Sequence, residues 1–461
     1  MSIVGAFIVP HPPIILPGVG KGEEKDIQKT IDAYRKVAQC ITDFKPETIV
    51  LTSPHSVMYA DYFHISPGES AWGDMRQFGA PDVEIGVEYD TEFVQELSGQ
   101  AKKQNLPAGT MGERKRALDH GTLIPLYFLN MCYTDYRLVR IGLSGLSPLD
   151  HYRLGKCIAQ AAESLDRRVV FIASGDLSHR LKEDGPYGYT PEGPEFDAQV
   201  TNAMMRGDFL RFLEFDEAFC ETAAECGLRS FQVMAGALDG KAVKSELLSY
   251  EGTFGVGYGV ASFWVAGEDG SRRFGEQYEK RQRAFLDQAK QKEDAYVRLA
   301  RKALETYVRT GERIKRPLEA PAEMCSQAAG VFVSLKKDGQ LRGCIGTIEP
   351  ETVCVADEII ENAISAGTHD PRFHSVAEEE LGQLLYSVDV LGKPERVASV
   401  AELDAKRYGV IVSKGWKRGL LLPNLEGVNT PKQQISIALK KAGIRPSEEY
   451  TIERFEVTRH R

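Results

Sequence analysis

Two hydrophobic patterns alternate along about the first 265 residues. Short runs such as IVGAFIV, ETIVLTS, YRLVRIGLS, RVVFIASG and YGVASFWV are apolar at nearly every position and rich in β-branched residues. Such runs suit strands buried on both faces. Between them, DIQKTIDAYRKVAQCITDF and DHYRLGKCIAQAAESL carry apolar residues at helical spacing. Strands alternating with helices predict an α/β layer structure with a mostly parallel sheet. Ligands of such sheets bind beyond the carboxyl ends of the strands.

The strand pattern stops at VAGEDGSRRFGEQYEKRQ, which turns strongly polar. This places a first domain at 1–265, a linker at 266–287 and a second domain at 288–461. A helix should open the second domain, since Tyr296, Leu299, Ala303 and Tyr307 share one face. GVFVSLKKDGQLRGCIGTIEP reads as a hairpin turning at Lys-Asp-Gly, and LLYSVDVL and YGVIVSKGWKRGLLLP supply further strands, so this domain is α+β. No internal repeat or low-complexity tract interrupts either half.

A length of 461 residues and a 42% hydrophobic, 27% charged composition fit a globular chain with two cores. The net charge of -9 argues against nucleic acid and anionic membrane surfaces as general partners. The opening MSIVGAFIVPHPP lacks a basic leader region, and no apolar stretch approaches the roughly 18 residues of a membrane span. These features lead us to expect a cytoplasmic protein. Its eight cysteines include no C-x-x-C pair, so neither a zinc ribbon nor a thioredoxin-type site is indicated, and disulfides are not expected. PGVGKGEE lacks the spacing and ending of a P-loop, and GTFGVGYGVASF reads as part of a strand near another backbone.

Candidate chemistry lies at the strand ends. Of nine histidines, His11 in VPHPP, His55 in TSPHS and His179 in GDLSH each stand just past an apolar run. His120 in LDHGT joins them, although Asp119 there also suits a helix N-cap. One histidine after a strand is usually an ordinary loop residue. Several such turns presenting the same imidazole call for a shared reason. Two histidines and a carboxylate suit non-haem Fe(II) with open coordination positions, and remaining histidines can act as acid and base near neutral pH. A structural zinc site is the competitor, but no short ligand pair anchors one.

PHPP near the N-terminus, SPHS after the second run, DHG near 120 and SGDLSH near 180 resemble the class III (LigB-type) extradiol dioxygenase superfamily, which also contains the Memo proteins. The resemblance covers residues 1–265 and keeps the motif order. It implies His11 and His55 as metal ligands, with His120 and His179 as acid-base and substrate-orienting groups. It also implies Fe(II), with Zn or Cu as alternatives, and a catecholic or related small substrate reacting with O2. Dioxygenases of this type use a glutamate as third ligand and Memo relatives a cysteine before a glycine. Glu225 and Cys226 stand side by side in Ala-Glu-Cys-Gly, with Glu221 one turn earlier, so all three stay open as candidates and Glu225 is preferred. A cysteine ligand would favour Cu(I) or other redox chemistry over catechol cleavage. A Memo-like metal-binding or scaffold role without ring cleavage is the alternative reading.

In the second domain, LRGCIGT places Cys344 between two glycines, and HDPRF offers His369, Asp370 and Arg372. Cys344 is a candidate nucleophile with His369 as its base, set against a buried structural cysteine in a tight turn. LRGCIGT, the HDPRF-x-x-V-x-x-x-EL pattern and the LLLP…KAGI end resemble the AMMECR-one domain over 288–461. The fusion resembles the AmmeMemoRadiSam system protein A architecture, which implies a radical SAM protein as partner. This chain itself has no C-x-x-x-C-x-x-C motif. Action of the second domain on RNA or a modified macromolecule is a third reading, and a homo-oligomer is compatible with all three.

Overall fold

The computed structural model describes residues 2–114, 117–425 and 427–461. The chain divides into two units, 1–280 and 281–461. In the first, six strands form one sheet: β1 (Ile3–Val9), β2 (Thr48–Ser53), β3 (Arg137–Gly142), β4 (Val169–Ser174), β5 (Lys241–Glu251) and β6 (Tyr258–Glu268). Their spatial order is β3-β2-β4-β1-β6-β5. The strands from β3 to β1 run parallel, and β6 and β5 add an antiparallel edge. The α/β expectation holds.

β2 and β4 are buried at every position, which is why their sequences are continuous apolar runs. Side chains alternate across them. Phe171 and Ala173 join one core with Phe93 and Leu97 of α2 (Thr91–Lys103) and Ile158 of α4 (Pro148–Ser164). Val170 and Ile172 join the other with Tyr34 and Ile41 of α1 (Gln28–Phe44) and Phe128 of α3 (His120–Asn130). Full burial of each such side chain contributes about 1.5–3 kcal/mol. β5 at the open edge carries Lys241, Lys244 and Glu246, charges that discourage further strand pairing.

Helix α5 (Leu228–Ala237) packs on α4 with unusual closeness. A Cβ on Gly236 would lie 1.8 Å from the Tyr152 carbonyl oxygen, and one on Gly155 2.0 Å from that of Val233. Only glycine allows this backbone contact. It seats the N-terminal end of α5 beside the carboxyl ends of the parallel strands.

The segment read as a linker contains a helix, α6 (Phe274–Lys292), whose run of helix formers outweighs the Gly and Ser before it. The second unit adds α7 (Ala295–Thr310), α8 (Val355–Thr368) and α9 (Pro431–Ala442) to two antiparallel sheets. One sheet contains the hairpin Val331–Lys337 and Gln340–Gly346. Its turn residues Asp338 and Gly339 have φ of 51° and 82°, as a two-residue hairpin turn requires. The α+β expectation also holds. Among the described residues no helix is long and apolar enough to cross a membrane.

His151 of α4 gives the fold a pH dependence. It is fully buried, Nδ1 donates to the Ser147 carbonyl at 3.0 Å, and Nε2 has no hydrogen-bond partner among the described residues. Burial pushes its pKa down to about 3. The unfolded imidazole titrates near 6.5, so the unfolded chain takes up the proton first. This contribution to stability is therefore complete above about pH 6.5 and is lost progressively as the pH falls toward 3. His151→Phe should flatten the pH dependence of the denaturation free energy over this window by about one proton. An unchanged slope would refute the assignment.

Candidate metal centre

The parallel strands bring residues far apart in sequence to one edge. β4 lies between β2 and β1, with Val9 opposite Ser174 and Thr52 opposite Ala173. His11 follows β1 by two residues, His55 follows β2 by two, and His179 follows β4 by five. His120 begins α3, where the Asp119 carboxylate accepts from the Thr122 amide at 3.1 Å. The same carboxylate accepts from Ser53 Oγ at 2.5 Å. Asp119 therefore caps the helix and ties it to the end of β2, so that capping and chemistry coincide in LDHGT.

His11, His55 and Cys226 form a group whose ligand atoms all lie within 4.8 Å of one another. The two Nε2 atoms are 3.0 Å apart, and Cys226 Sγ is 3.7 Å from His11 Nε2. Two nitrogens each about 2.0 Å from one tetrahedral ion stand about 3.3 Å apart, and a nitrogen and a sulfur somewhat farther. The donor set therefore fits a single ion.

The protonation of His11 follows from its neighbour. Ser174 Oγ donates its one proton to the Gly121 carbonyl at 2.6 Å, so it can only accept from His11 Nδ1, 2.9 Å away. Nδ1 carries the hydrogen, and the Nε2 lone pair faces His55 and Cys226. Burial, then the charge of His55, holds the His11 pKa well below the usual histidine range. Burial lowers that of His55 as well, against the opposing pull of Asp119 and Asp176.

Cys226 is placed by backbone. A Cβ on Gly175 would lie 2.1 Å from Gly227 Cα, so the turn after β4 and the turn before α5 touch. The Cys226 amide donates to the Asp176 carbonyl at 3.3 Å, and the Asp176 amide donates to Cys226 Sγ at 3.3 Å. Burial pushes the thiol pKa well up, helped by Asp176. The Asp176 carboxylate accepts from the His11 amide at 2.7 Å and comes within 4.0 Å of His11 Nε2.

Glu225, preferred as the third ligand from sequence, is not in this group. Its carboxylate accepts from the Leu228 amide at 2.7 Å, bracing the start of α5, and burial raises its pKa to about 7. Glu221 is exposed on the preceding short helix Glu217–Ala223. Of the three candidates, the structure brings only Cys226 to the histidines.

His120 lies against the pair, its ring centre 4.0 Å from that of His55 and 5.4 Å from that of His11. Phe78 covers it edge-on at 5.1 Å. Burial lowers its pKa to about 3, so it is a neutral base at pH 7. His179 is near enough to act electrostatically on both His11 and Asp176. Its Nδ1 is buried without a hydrogen-bond partner among the described residues, and its ring meets Tyr187 edge-on at 5.1 Å.

In the second unit, Cys344 meets Asp370 where His369 was expected. The Cys344 amide donates to Asp370 Oδ2 at 2.9 Å, and Ser334 Oγ donates to the sulfur at 3.2 Å. Arg372 grips Asp370 with two nitrogens and holds its pKa well below the usual carboxylate range. His369 ends α8 exposed, its Nδ1 2.7 Å from Thr368 Oγ1.

Sequence reading passed over Ser174 and Asp176. Both lie inside SGDLSH, where a buried serine ending an apolar strand and an aspartate before the histidine were the available signals.

Comparison with known proteins agrees with this layout. The family model for the catalytic LigB subunit of aromatic ring-opening dioxygenase matches residues 5–261, and the AMMECR1 model matches 297–460. Both resemblances drawn from the motifs are thereby borne out. Protein CA_C1420 of Clostridium acetobutylicum is 45% identical over 469 aligned positions, covering 100% of each chain. A Thermotoga maritima protein is 49% identical over 153 residues, 33% of this chain and 88% of its own. Among solved structures, uncharacterized protein PH0010 from Pyrococcus horikoshii aligns with 33% identity over 36% of this chain and 88% of its own, at a TM-score of 0.34.

Two substitutions test the construction of the centre. Ser174→Ala frees the His11 tautomer and should weaken metal binding by about tenfold to a hundredfold, measured by competition with a chromogenic chelator. Gly175→Ala forces the two turns apart and should cost about 1–3 kcal/mol in denaturant unfolding. Wild-type affinity in the first, or wild-type stability in the second, would contradict the contacts described.

Proposed function

The chain belongs to the family of the catalytic LigB subunit of aromatic ring-opening dioxygenases, with an AMMECR1 domain following in the same chain, and from that premise we propose that His11, His55 and Cys226 hold the metal ion of an oxidoreductase site. The observation that carries this is the placing of Cys226 Sγ 3.7 Å from His11 Nε2. Two imidazoles and a thiolate suit a softer ion than two imidazoles and a carboxylate, and we propose Cu(I) ahead of Fe(II) and Zn. Bound there, such an ion supplies one-electron chemistry and polarises an oxygen of the substrate.

The protein's own groups have separate tasks. Ser174 fixes the bare Nε2 of His11 toward the ion. His120, kept neutral by burial, offers its ring as a hydrogen-bond acceptor that orients a hydroxyl presented beside His55. The free Nδ1 of His179 can hold or return a proton from the other side. Phe78 shields His120 from water. A small molecule with acidic hydroxyls, such as a catechol or enediol, suits this pair of imidazoles.

Iron-dependent ring opening of a catechol with O2 is the second reading. It is favoured by the juxtaposition of His120 with the ligand pair, since metal storage alone needs no base there.

Elemental analysis of anaerobically purified protein, beside His55→Ala and Cys226→Ser, tests both. We expect about one copper per wild-type chain and loss of it in each variant. One iron instead, with oxygen uptake driven by catechols, would favour the second reading. No metal in any form, after reconstitution with Cu(I), Fe(II) and Zn in turn, overturns both.

A further inference from the structure

A cavity of about 470 Å³ opens in the second unit along one face of α7. Arg301 and Lys302 follow Arg298 by three and four residues and Arg309 follows Lys302 by seven, two helical turns, so the four share that face. Lys290 at the end of α6 adds a fifth cation, against two carboxylates, Glu293 and Glu305.

Both carboxylates are already engaged. Buried Glu293 takes two bonds from Arg301, one of them 2.9 Å from Nε to Oε2. Glu305 pairs with Arg309 at 3.1 Å and with Arg301 at 3.6 Å. The guanidinium of Arg301 lies over the Tyr386 ring at 4.9 Å, so this part of the lining is held rigidly. The buried Tyr386 hydroxyl there has no hydrogen-bond partner among the described residues.

Among the described residues, three of these cations have no carboxylate partner. Lys290 Nζ donates to the Gly382 carbonyl at 3.4 Å, and Arg298 donates to the Glu293 carbonyl. Lys302 is exposed and, among the described residues, makes no ion pair. They surround a concave space in a chain whose net charge is -9, so the positive potential is local.

We propose that this cavity binds the phosphate group of a small phosphorylated molecule, a mono- or diphosphate ester. Its volume lies within the roughly 300–1,000 Å³ of small-ligand sites. Arginine forks and lysine ammonium groups are the usual partners of phosphate oxygens. Nucleic acid would instead need cations laid out along successive phosphates. Here they border a single concave space.

The test is calorimetric titration of the full chain with inorganic pyrophosphate. Saturable one-site binding that weakens steeply with added KCl is expected. Lys302→Glu and Lys290→Glu, on different helices, should each weaken it by about tenfold or more. Lys440→Glu on α9, outside the cavity, should bind as wild type. Circular dichroism confirms that each variant folds. Absence of saturation up to about 10 mM pyrophosphate would overturn the proposal. So would binding unaffected by the two cavity variants, because the anion would then sit elsewhere, for instance at the metal centre. Binding of single-stranded RNA that is tighter than pyrophosphate and lost in the same variants would replace the small molecule with nucleic acid.

Discussion

The contact between Gly175 and Gly227 is the constraint on which the centre depends. No side chain fits between these two backbones, and their meeting is what carries Cys226 across 215 positions of sequence to the edge of His11. The reciprocal hydrogen bonds of Asp176 with Cys226 close the contact, and Ser230 Oγ donating to the Ser174 carbonyl at 2.9 Å extends it into the first turn of α5. Behind it, Gly155 and Gly236 let α4 and α5 touch, which fixes the helix whose start must reach the strand ends. The sheet orders the histidines, and a column of glycine contacts delivers the sulfur.

That division of labour explains what could be read from the chain. The histidine positions are local properties: an apolar run, its end, and an imidazole a few residues later. A parallel sheet converts those into one cluster with no further information. The third ligand is a different matter. Glu225 and Cys226 are neighbours at a helix start, where adjacent side chains leave the backbone in different directions. Which of them faces the histidines is decided by the crossing of two turns, and the sequence shows that crossing only as isolated glycines. Once Gly227 is pressed against Gly175, Glu225 is left beside the Leu228 amide and takes the capping role that acidic residues favour.

The same limit applies in the second unit. The hairpin and its turn were legible in LKKDGQLRG, because two-residue turns impose their own chemistry. The partner of Cys344 was not. His369 and Asp370 are adjacent at the end of α8, and the helix termination turns the imidazole to solvent and the carboxylate to the Cys344 amide. The helix α6 was half legible: its later residues are strong helix formers, but the glycines and serine ahead of them hid where it begins.

Burial imposes one electrostatic logic on the whole centre. It lowers the pKa of His11, His55 and His120, and it raises those of Cys226 and Asp176. Each group is thus driven toward its uncharged form, which leaves bare imidazole nitrogens beside a protonated thiol. A cation reverses the balance for the acids while using the imidazoles as they stand, because it stabilises thiolate and carboxylate and coordinates neutral nitrogen. Metal uptake at such a site releases the thiol proton, so affinity rises with pH. A glutamate in place of Cys226 would give up its proton far more readily and present a hard oxygen. In the proposed site the thiol would therefore set both the softness of the ion accepted and the pH at which it is accepted, the respect in which His11, His55 and Cys226 depart from two histidines and a carboxylate.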